Sequence, residues 1–277
     1  MGTNKKKLIM LNETPLYFGD DEEQLFGVLH IPVSHNLNCG FVFCHPFAEE
    51  KLWSHRVFVS FARKLVEMGY TVLRFDHRGY GDSDGAFSDM NVQAYVRDIT
   101  AAIDHLQNSQ QNLNSIGLFG YRLGASFALS VCQQQEVSGP VILWDPIVDG
   151  NRYMQEFLRS HLSTQLAVYG EVKEDREQLV QNMNKGEYVN VEGYDLAIEQ
   201  FNSISEINLK NVTNNKGKFL IVQVGRTEKP KKQSVDLSQS INAQLECVVE
   251  EPFWREIKQF YYQANNLSDA AVNWLGH

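Results

Sequence analysis

The sequence predicts an α/β fold built on a mostly parallel, doubly wound sheet of about eight strands, with a helical cap insertion. Two observations predict the sheet. Short runs rich in Val, Ile, Leu and Phe are apolar at nearly every position, as strands are when a parallel sheet is buried on both faces. Amphipathic helical stretches lie between these runs, and such alternation is typical of a sheet covered by helices on both sides.

The predicted strands follow one another along almost the whole chain. The first two, Lys7–Leu11 and Gln24–Ile31, are joined by too few residues for a crossover helix, so we expect them to form an antiparallel hairpin. The later strands are short apolar runs, and each should lie inside the sheet: Gly40–Pro46, Tyr70–Asp76, Ser115–Gly120, Gly139–Pro146, Lys218–Gly225 and Ala243–Glu251.

Helical spacing of apolar residues is clearest at Ser54–Gly69 and Asn91–Asn108. The regular alternation then stops, because the chain between Asp149 and Val212 is polar and mostly helical in pattern. We therefore expect a core formed by residues 1–148 and 213–277, interrupted by a cap insertion of residues 149–212.

Composition and charge exclude several classes of function. The chain has 25 basic and 34 acidic residues, a formal charge of −9, which argues against nucleic-acid binding and against binding to anionic membranes. No apolar run approaches the roughly 20 residues of a membrane span, and the N-terminus lacks the apolar core of a signal peptide. The four cysteines show no metal-ligand spacing. We expect a cytoplasmic protein without a metal or a cofactor.

One stretch, "SIGLFGYRLGAS" (Ser115–Ser126), is an apolar strand followed by a Gly-x-x-x-Gly turn and a helical run. Small residues two positions before and after a sharp strand-to-helix turn let the strand and the helix approach each other. Gly120 and Gly124 meet that need. The pattern therefore predicts a strained turn with Arg122 at its centre.

Other motifs fall in the order expected for one family. "CHPF" follows the third strand, "FDHRGYGDSDG" the fourth and "LWDPIVDG" the sixth. Together with the turn they resemble the α/β-hydrolase superfamily. The arginine-centred turn, "WDPIVDG" and "VNVEGYDLAIEQFNSISEINL" resemble most the exosortase A system-associated hydrolases (type 2) of bacterial exopolysaccharide loci. This resemblance covers roughly Gln24 to Trp254.

The resemblance implies that Arg122 stands where a serine hydrolase has its nucleophile. Guanidinium stays protonated and offers only hydrogen-bond donors, so it cannot replace a serine. After the last strand, where the catalytic histidine would follow, the chain has Glu250 and Glu251, and the only histidine beyond position 161 is His277. We therefore exclude a Ser-His-Asp mechanism.

An arginine at a helix N-terminus opposes the helix dipole and needs an anionic partner. We expect Arg122 to pair with Asp145, Glu250 or Glu251, either as a structural salt bridge or as a group that remains free to bind an anion. The predicted ligand-binding residues lie at the same edge of the sheet: His45, Phe47, Tyr121, Arg122, Leu123, Asp145, Glu228, Glu250 and Glu251. A basic loop, Arg226–Lys232, follows the seventh strand of the core.

Three functions stay open on the sequence. The favoured one is a degenerate hydrolase, a pseudoenzyme that binds a small anionic or acyl ligand through Arg122 at the former active site. The second is an active ester or thioester hydrolase, or an acyltransferase, in which Arg122 stabilises an oxyanion. The third is a structural or partner-binding accessory module. A homodimer also stays open.

Overall fold

The computed structural model describes residues 12–20, 22–172, 174–213, 217–254 and 263–276. Its strands are β1 (Asn12–Asp20), β2 (Glu23–Ile31), β3 (Cys39–Cys44), β4 (Thr71–Phe75), β5 (Ser115–Tyr121), β6 (Val141–Trp144), β7 (Val189–Val191), β8 (Tyr194–Leu196), β9 (Phe219–Gly225) and β10 (Gln244–Val249). Its α-helices are α1 (Glu49–Glu67), α2 (Val92–Ser109), α3 (Leu123–Gln134), α4 (Gly150–Tyr169), α5 (Arg176–Asn184), α6 (Ile198–Ser205), α7 (Lys232–Ser240) and α8 (Asn265–Leu275).

The main sheet has eight strands in the order β1-β2-β4-β3-β5-β6-β9-β10. β2 pairs antiparallel with both β1 and β4, and every other pair in this sheet is parallel. The predicted sheet, mostly parallel and eight strands wide, is therefore confirmed. Because β3, β5 and β6 are neighbours, the turns that follow these three strands meet at one edge of the sheet.

The opening hairpin uses a different first strand from the predicted one. Asn12–Asp20, expected to be a connection, pairs with β2 along its whole length. It is a polar edge strand in which Phe18 is buried while Tyr17 faces solvent, so it lacks the continuous apolar pattern of the inner strands. The predicted strand Lys7–Leu11 lies outside the described residues.

Side chains of the inner strands alternate between two cores, one on each face of the sheet. In β3, Val42 and Cys44 pack with α2 and α3, whereas Phe41 and Phe43 pack with α1 and α8. Both faces are therefore apolar, which explains why the strand sequences are apolar at nearly every position.

The chain between β6 and β9 forms α4, α5, the small antiparallel β7–β8 hairpin and α6. This is the segment expected to form a cap insertion. Within the described ranges, no helix is both long and apolar enough to cross a bilayer.

Two glycines allow β5, α3 and the turn after β3 to approach closely. A Cβ added at Gly120 would lie 2.5 Å from the Cα of Ala125. A Cβ added at Gly124 would lie 2.3 Å from the carbonyl oxygen of Cys44 and 2.4 Å from that of His45. These distances are too short for any side chain, so glycine is required where the turn after β3 rests on the start of α3.

We predict that Gly124→Ala lowers the free energy of unfolding by about 3 kcal/mol or more, because the new methyl group meets backbone that cannot rotate away. Gly186→Ala is the matched control. Gly186 has a φ of +88° with nothing within 4 Å of the added Cβ. Gly186→Ala should therefore lower the free energy of unfolding by only ~1–2 kcal/mol, which is the cost of placing an alanine in the left-handed region. Urea denaturation followed by circular dichroism measures both; equal losses would contradict the packing argument.

Candidate functional site at Arg122

Arg122 lies between the end of β5 and the start of α3, at a φ of 54° and a ψ of −121°. Residues with a side chain rarely adopt this conformation, and it costs of order 1–3 kcal/mol unless the surroundings fix it. The backbone N–H of Arg122 donates to the carbonyl oxygen of Trp144 at 2.9 Å, which ties the turn to β6. The predicted strained turn is therefore present, with an arginine at its centre.

Two carboxylates and two aromatic rings surround the guanidinium group. Nε and Nη2 of Arg122 donate to Oε1 of Glu50 at 3.2 and 3.0 Å. Nη1 donates to Oδ2 of Asp145 at 3.3 Å. The guanidinium carbon lies 5.7 Å from the ring centroids of both Tyr153 and Trp254. We call Arg122, Glu50 and Asp145 the charge cluster.

The charge cluster is largely shielded from water, since its three side chains are only 13–15% exposed. Burial acts to lower the pKa of Arg122, but the carboxylates of Glu50 and Asp145 outweigh it and raise that pKa above the ordinary value. Burial raises the pKa of Glu50 despite the opposing charge of Arg122. Two carboxylates face one guanidinium, so the positive charge of Arg122 is compensated within the protein.

Glu50 is a partner that the sequence analysis missed. It is the second residue of α1, which begins directly after the turn following β3. An acidic residue in the first turn of a helix is favoured by the helix dipole and is common, so it carries little functional signal by itself. Its position relative to Arg122 follows from the strand order, in which β3 and β5 are neighbours.

Two cavities flank the charge cluster. The larger, about 670 Å³, has charged residues around it, among them Asp145 and Lys231. The smaller, about 390 Å³, is lined by aromatic rings that include Phe47 and by carboxylates. Both are lined by Arg122, Tyr153, Glu156 and Trp254. Arg122 is thus within reach of a small molecule in either cavity.

Of the predicted site residues, Phe47, Arg122 and Asp145 line these cavities. Tyr121 and Leu123 are fully buried behind the turn. The ring of His45 stacks on Phe58, with 4.4 Å between ring centroids. Burial lowers the pKa of His45 well below its usual value, and the positive charge of Lys51 adds to this. His45, Tyr121 and Leu123 line neither cavity, so their side chains support the site from behind.

The expected pairing of Arg122 with Glu250 or Glu251 is wrong. Oε1 of Glu250 accepts a hydrogen bond from the backbone N–H of Asn266 at 2.7 Å, and Glu251 is exposed. The sheet order explains the difference: β10 is three strands from β5, on the order of 14 Å. The turns after β3 and β6, both neighbours of β5, supply Glu50 and Asp145 instead. Glu228 is also exposed and lines neither cavity.

In the part of the chain that the structure describes, no histidine lines either cavity. The thiol of Cys44, which ends β3, is buried, and burial raises its pKa well above the ordinary value, so it stays protonated and unreactive. Among the described residues, no three His, Cys, Asp or Glu side chains come together as ligands for a metal ion.

One known protein family matches the chain over the region that contains this site. The family model described as "Serine aminopeptidase, S33" matches residues 41–190, more than half of the chain. The chain belongs to this family. The matched range contains Glu50, Arg122 and Asp145, so the charge cluster lies within the part of the chain that matches the family model.

Two relatives of the S33 chain carry no assigned activity. "Uncharacterized protein RP471" of Rickettsia prowazekii (strain Madrid E) is 31% identical over 145 residues, 52% of this chain and 60% of that one. An "Uncharacterized 31.7 kDa protein in traX-finO intergenic region" of Escherichia coli is 28% identical over 96 residues, 34% of this chain and 32% of that one. The S33 chain thus matches less than two thirds of the length of each relative.

Solved structures show the same fold. An alpha-beta serine hydrolase homologue from Coxiella burnetii is 19% identical with a TM-score of 0.57, covering 98% of this chain and 99% of that one. The ferulic acid complex of Est1E from Butyrivibrio proteoclasticus is 17% identical with a TM-score of 0.63, covering 95% and 100%. Together with the family match, these structures show that the chain is a hydrolase-fold protein.

We predict that Glu50→Gln changes the pH dependence of stability. The folded pKa of Glu50 lies above its ordinary value of 4.5, so the folded chain binds this proton more tightly than the unfolded chain. The stability of the wild type, relative to the variant, should therefore rise as the pH falls from 7 through the folded pKa, and should level off below about 4.5.

Urea denaturation between about pH 7 and pH 4 measures this difference. Glu187→Gln, at an exposed position between α5 and β7, controls for the substitution itself. A stability difference between wild type and Glu50→Gln that stays constant over this range would contradict the assigned electrostatics.

Proposed function

We propose that this chain is a degenerate α/β-hydrolase that binds an acyl ligand beside Arg122 and does not hydrolyse it through a Ser-His-Asp triad. The observation that carries the proposal is the charge cluster. The turn between β5 and α3 holds an arginine fixed by Glu50 and Asp145, and a guanidinium that is always protonated cannot attack a carbonyl carbon.

Donors for a carbonyl oxygen remain at this site. An arginine has five N–H donors, and three of those in Arg122 are directed at Glu50 and Asp145. Two N–H groups are left over among the described contacts. The backbone amide of Phe47, in the turn after β3, also donates to no described residue, and Phe47 lines the smaller cavity. A ligand in either cavity can therefore accept hydrogen bonds from Arg122.

Charge favours a neutral acyl group over an anion. A carboxylate ligand at Arg122 would approach Glu50 and Asp145, which already compensate the guanidinium. Two of the three lysines that line the larger cavity are also engaged, because Nζ of Lys210 lies 3.1 Å from Oδ2 of Asp149 and Nζ of Lys231 lies 3.7 Å from Oδ1 of Asp145. A neutral ester, thioester or amide carbonyl accepts the same hydrogen bonds without this like-charge repulsion.

One observation favours the second candidate, an active acyl hydrolase or acyltransferase. Glu50 has a raised pKa and lies beside Arg122, so it is a candidate general base for an attacking water while Arg122 stabilises the oxyanion. The resemblance to exosortase-associated hydrolases supports, as a proposal, a role for either function in exopolysaccharide loci. The open cavities argue against a purely structural module.

We predict that wild-type protein binds octanamide more tightly than octanoate, which has the same chain length but carries a charge. Arg122→Ala should weaken octanamide binding by roughly ten- to a hundredfold, since a hydrogen bond from a charged donor is worth about 1.5–3 kcal/mol. Isothermal titration calorimetry measures the affinities. Arg226→Ala, at an exposed position that lines neither cavity, is the control.

Two results would argue against this proposal. Tighter binding of octanoate would mean that the site takes an anion. Equal octanamide affinity in the wild type and in a folded Arg122→Ala variant would remove Arg122 from ligand binding altogether.

We also predict that a fluorophosphonate probe labels neither the wild type nor Arg122→Ser. A serine at position 122 would lack a histidine to take its proton, because no described histidine lines the cavities. Mass spectrometry of the intact protein after incubation measures labelling. Labelling of wild type would reveal a nucleophile elsewhere and favour the active enzyme, and labelling confined to Arg122→Ser would show that a base still serves this position.

A further inference from the structure

We propose that a buried hydrogen-bond chain from the insertion to the turn after β3 sets the geometry of the charge cluster. The chain runs from Gln200 through Tyr95 and Tyr80 to the backbone of Ala48. None of the three side chains lines either cavity, so they act as positioning residues rather than as ligand contacts. Only the consequence for ligand affinity rests on the function proposed above.

Each link of the hydrogen-bond chain lies within hydrogen-bond distance and is removed from water. The backbone N–H of Ala48 donates to the hydroxyl oxygen of Tyr80 at 3.1 Å. The hydroxyl oxygens of Tyr80 and Tyr95 lie 3.3 Å apart, and Nε2 of Gln200 donates to Tyr95 at 3.2 Å. The same Nε2 donates to the carbonyl oxygen of Phe87 at 3.0 Å. Tyr80, Tyr95 and Gln200 are at most 5% exposed, and buried hydrogen bonds of this kind hold their geometry strongly.

Ala48 is the residue through which the chain acts on Glu50. Its φ of 48° and ψ of −133° lie outside the regions that alanine prefers, and it has no side-chain group that could cap α1. The hydrogen bond to Tyr80 is the described restraint on its amide. Since Glu50 lies two residues further on, the conformation of Ala48 directs the first turn of α1 and thereby the reach of Glu50 towards Arg122.

The far end of the chain belongs to the insertion. Gln200 is fully buried in α6, whereas Tyr95 lies in α2 of the core. Aromatic packing follows the same route, because the ring of Phe87 lies 5.3 Å from that of Phe47 and 4.9 Å from that of Tyr194 in β8. A displacement of α6 would withdraw the donor from Tyr95 and loosen the turn that bears Glu50.

The test is the hydrogen-exchange rate of the Ala48 amide, measured by NMR on the whole protein without ligand. Gln200→Leu removes the donor at the far end while keeping a similar volume. We expect the Ala48 amide to exchange at least about fivefold faster, while amides of β9 and α8 change less than about twofold. Tyr80→Phe removes the acceptor directly and should give a larger acceleration at Ala48.

Ile204→Val is the matched control, since Ile204 is a fully buried residue of α6 whose apolar side chain is not a member of the hydrogen-bond chain. An unchanged Ala48 rate in Gln200→Leu, or an equal acceleration in Ile204→Val, overturns the inference. If Gln200→Leu does not fold, Tyr95→Phe breaks the middle link and is judged by the same criteria.

Octanamide titration separates this inference from the proposed function. We expect Gln200→Leu to bind octanamide several-fold more weakly than Ile204→Val, because Glu50 then holds Arg122 less firmly. If the wild-type protein does not bind octanamide, the proposed function is contradicted. The hydrogen-exchange rates of Ala48 then test the hydrogen-bond chain independently of any ligand. Faster Ala48 exchange with equal octanamide affinities would overturn the positioning role.

Discussion

The pairing of Arg122 with Glu50 and Asp145 is the interaction on which the rest of the site depends. A cation at the start of α3 opposes the helix dipole by a few tenths to about 1 kcal/mol, and the backbone at Arg122 is strained as well. The arginine side chain alone offsets neither the unfavourable helix dipole nor the backbone strain. Both carboxylates must therefore stay within hydrogen-bond distance of the guanidinium, and the turns that carry them are constrained accordingly.

The order of strands in the sheet makes this pairing available. β5 lies between β3 and β6, so the turn with Arg122 has the start of α1 on one side and Asp145 on the other. Gly124 lets the turn after β3 rest directly on α3, which brings the first turn of α1 close to the guanidinium. A topology shared with serine hydrolases thus supports an ion-pair cluster at the same edge of the sheet.

Most of the fold could be predicted from the sequence, because buried parallel strands and amphipathic helices leave strong periodic patterns. The exception, β1, is a polar edge strand with only one buried face, so no apolar run marks it. The site was harder to predict. Arg122 and Asp145 follow apolar strands and were found, whereas Glu50 is the second residue of a helix, where acidic residues are common. Choosing Glu50 over Glu250 and Glu251 needed the spatial order of strands, which no local pattern encodes.

The charge cluster also restricts how triad chemistry could be built at this site. Replacing Arg122 by serine would leave Glu50 and Asp145, both about 85% buried, without the cation that compensates them. Leaving buried carboxylates unpaired is costly, and their like charges would repel each other. A serine there would also meet no histidine among the described residues that line the cavities. A Ser-His-Asp mechanism at this site would therefore require several coordinated substitutions.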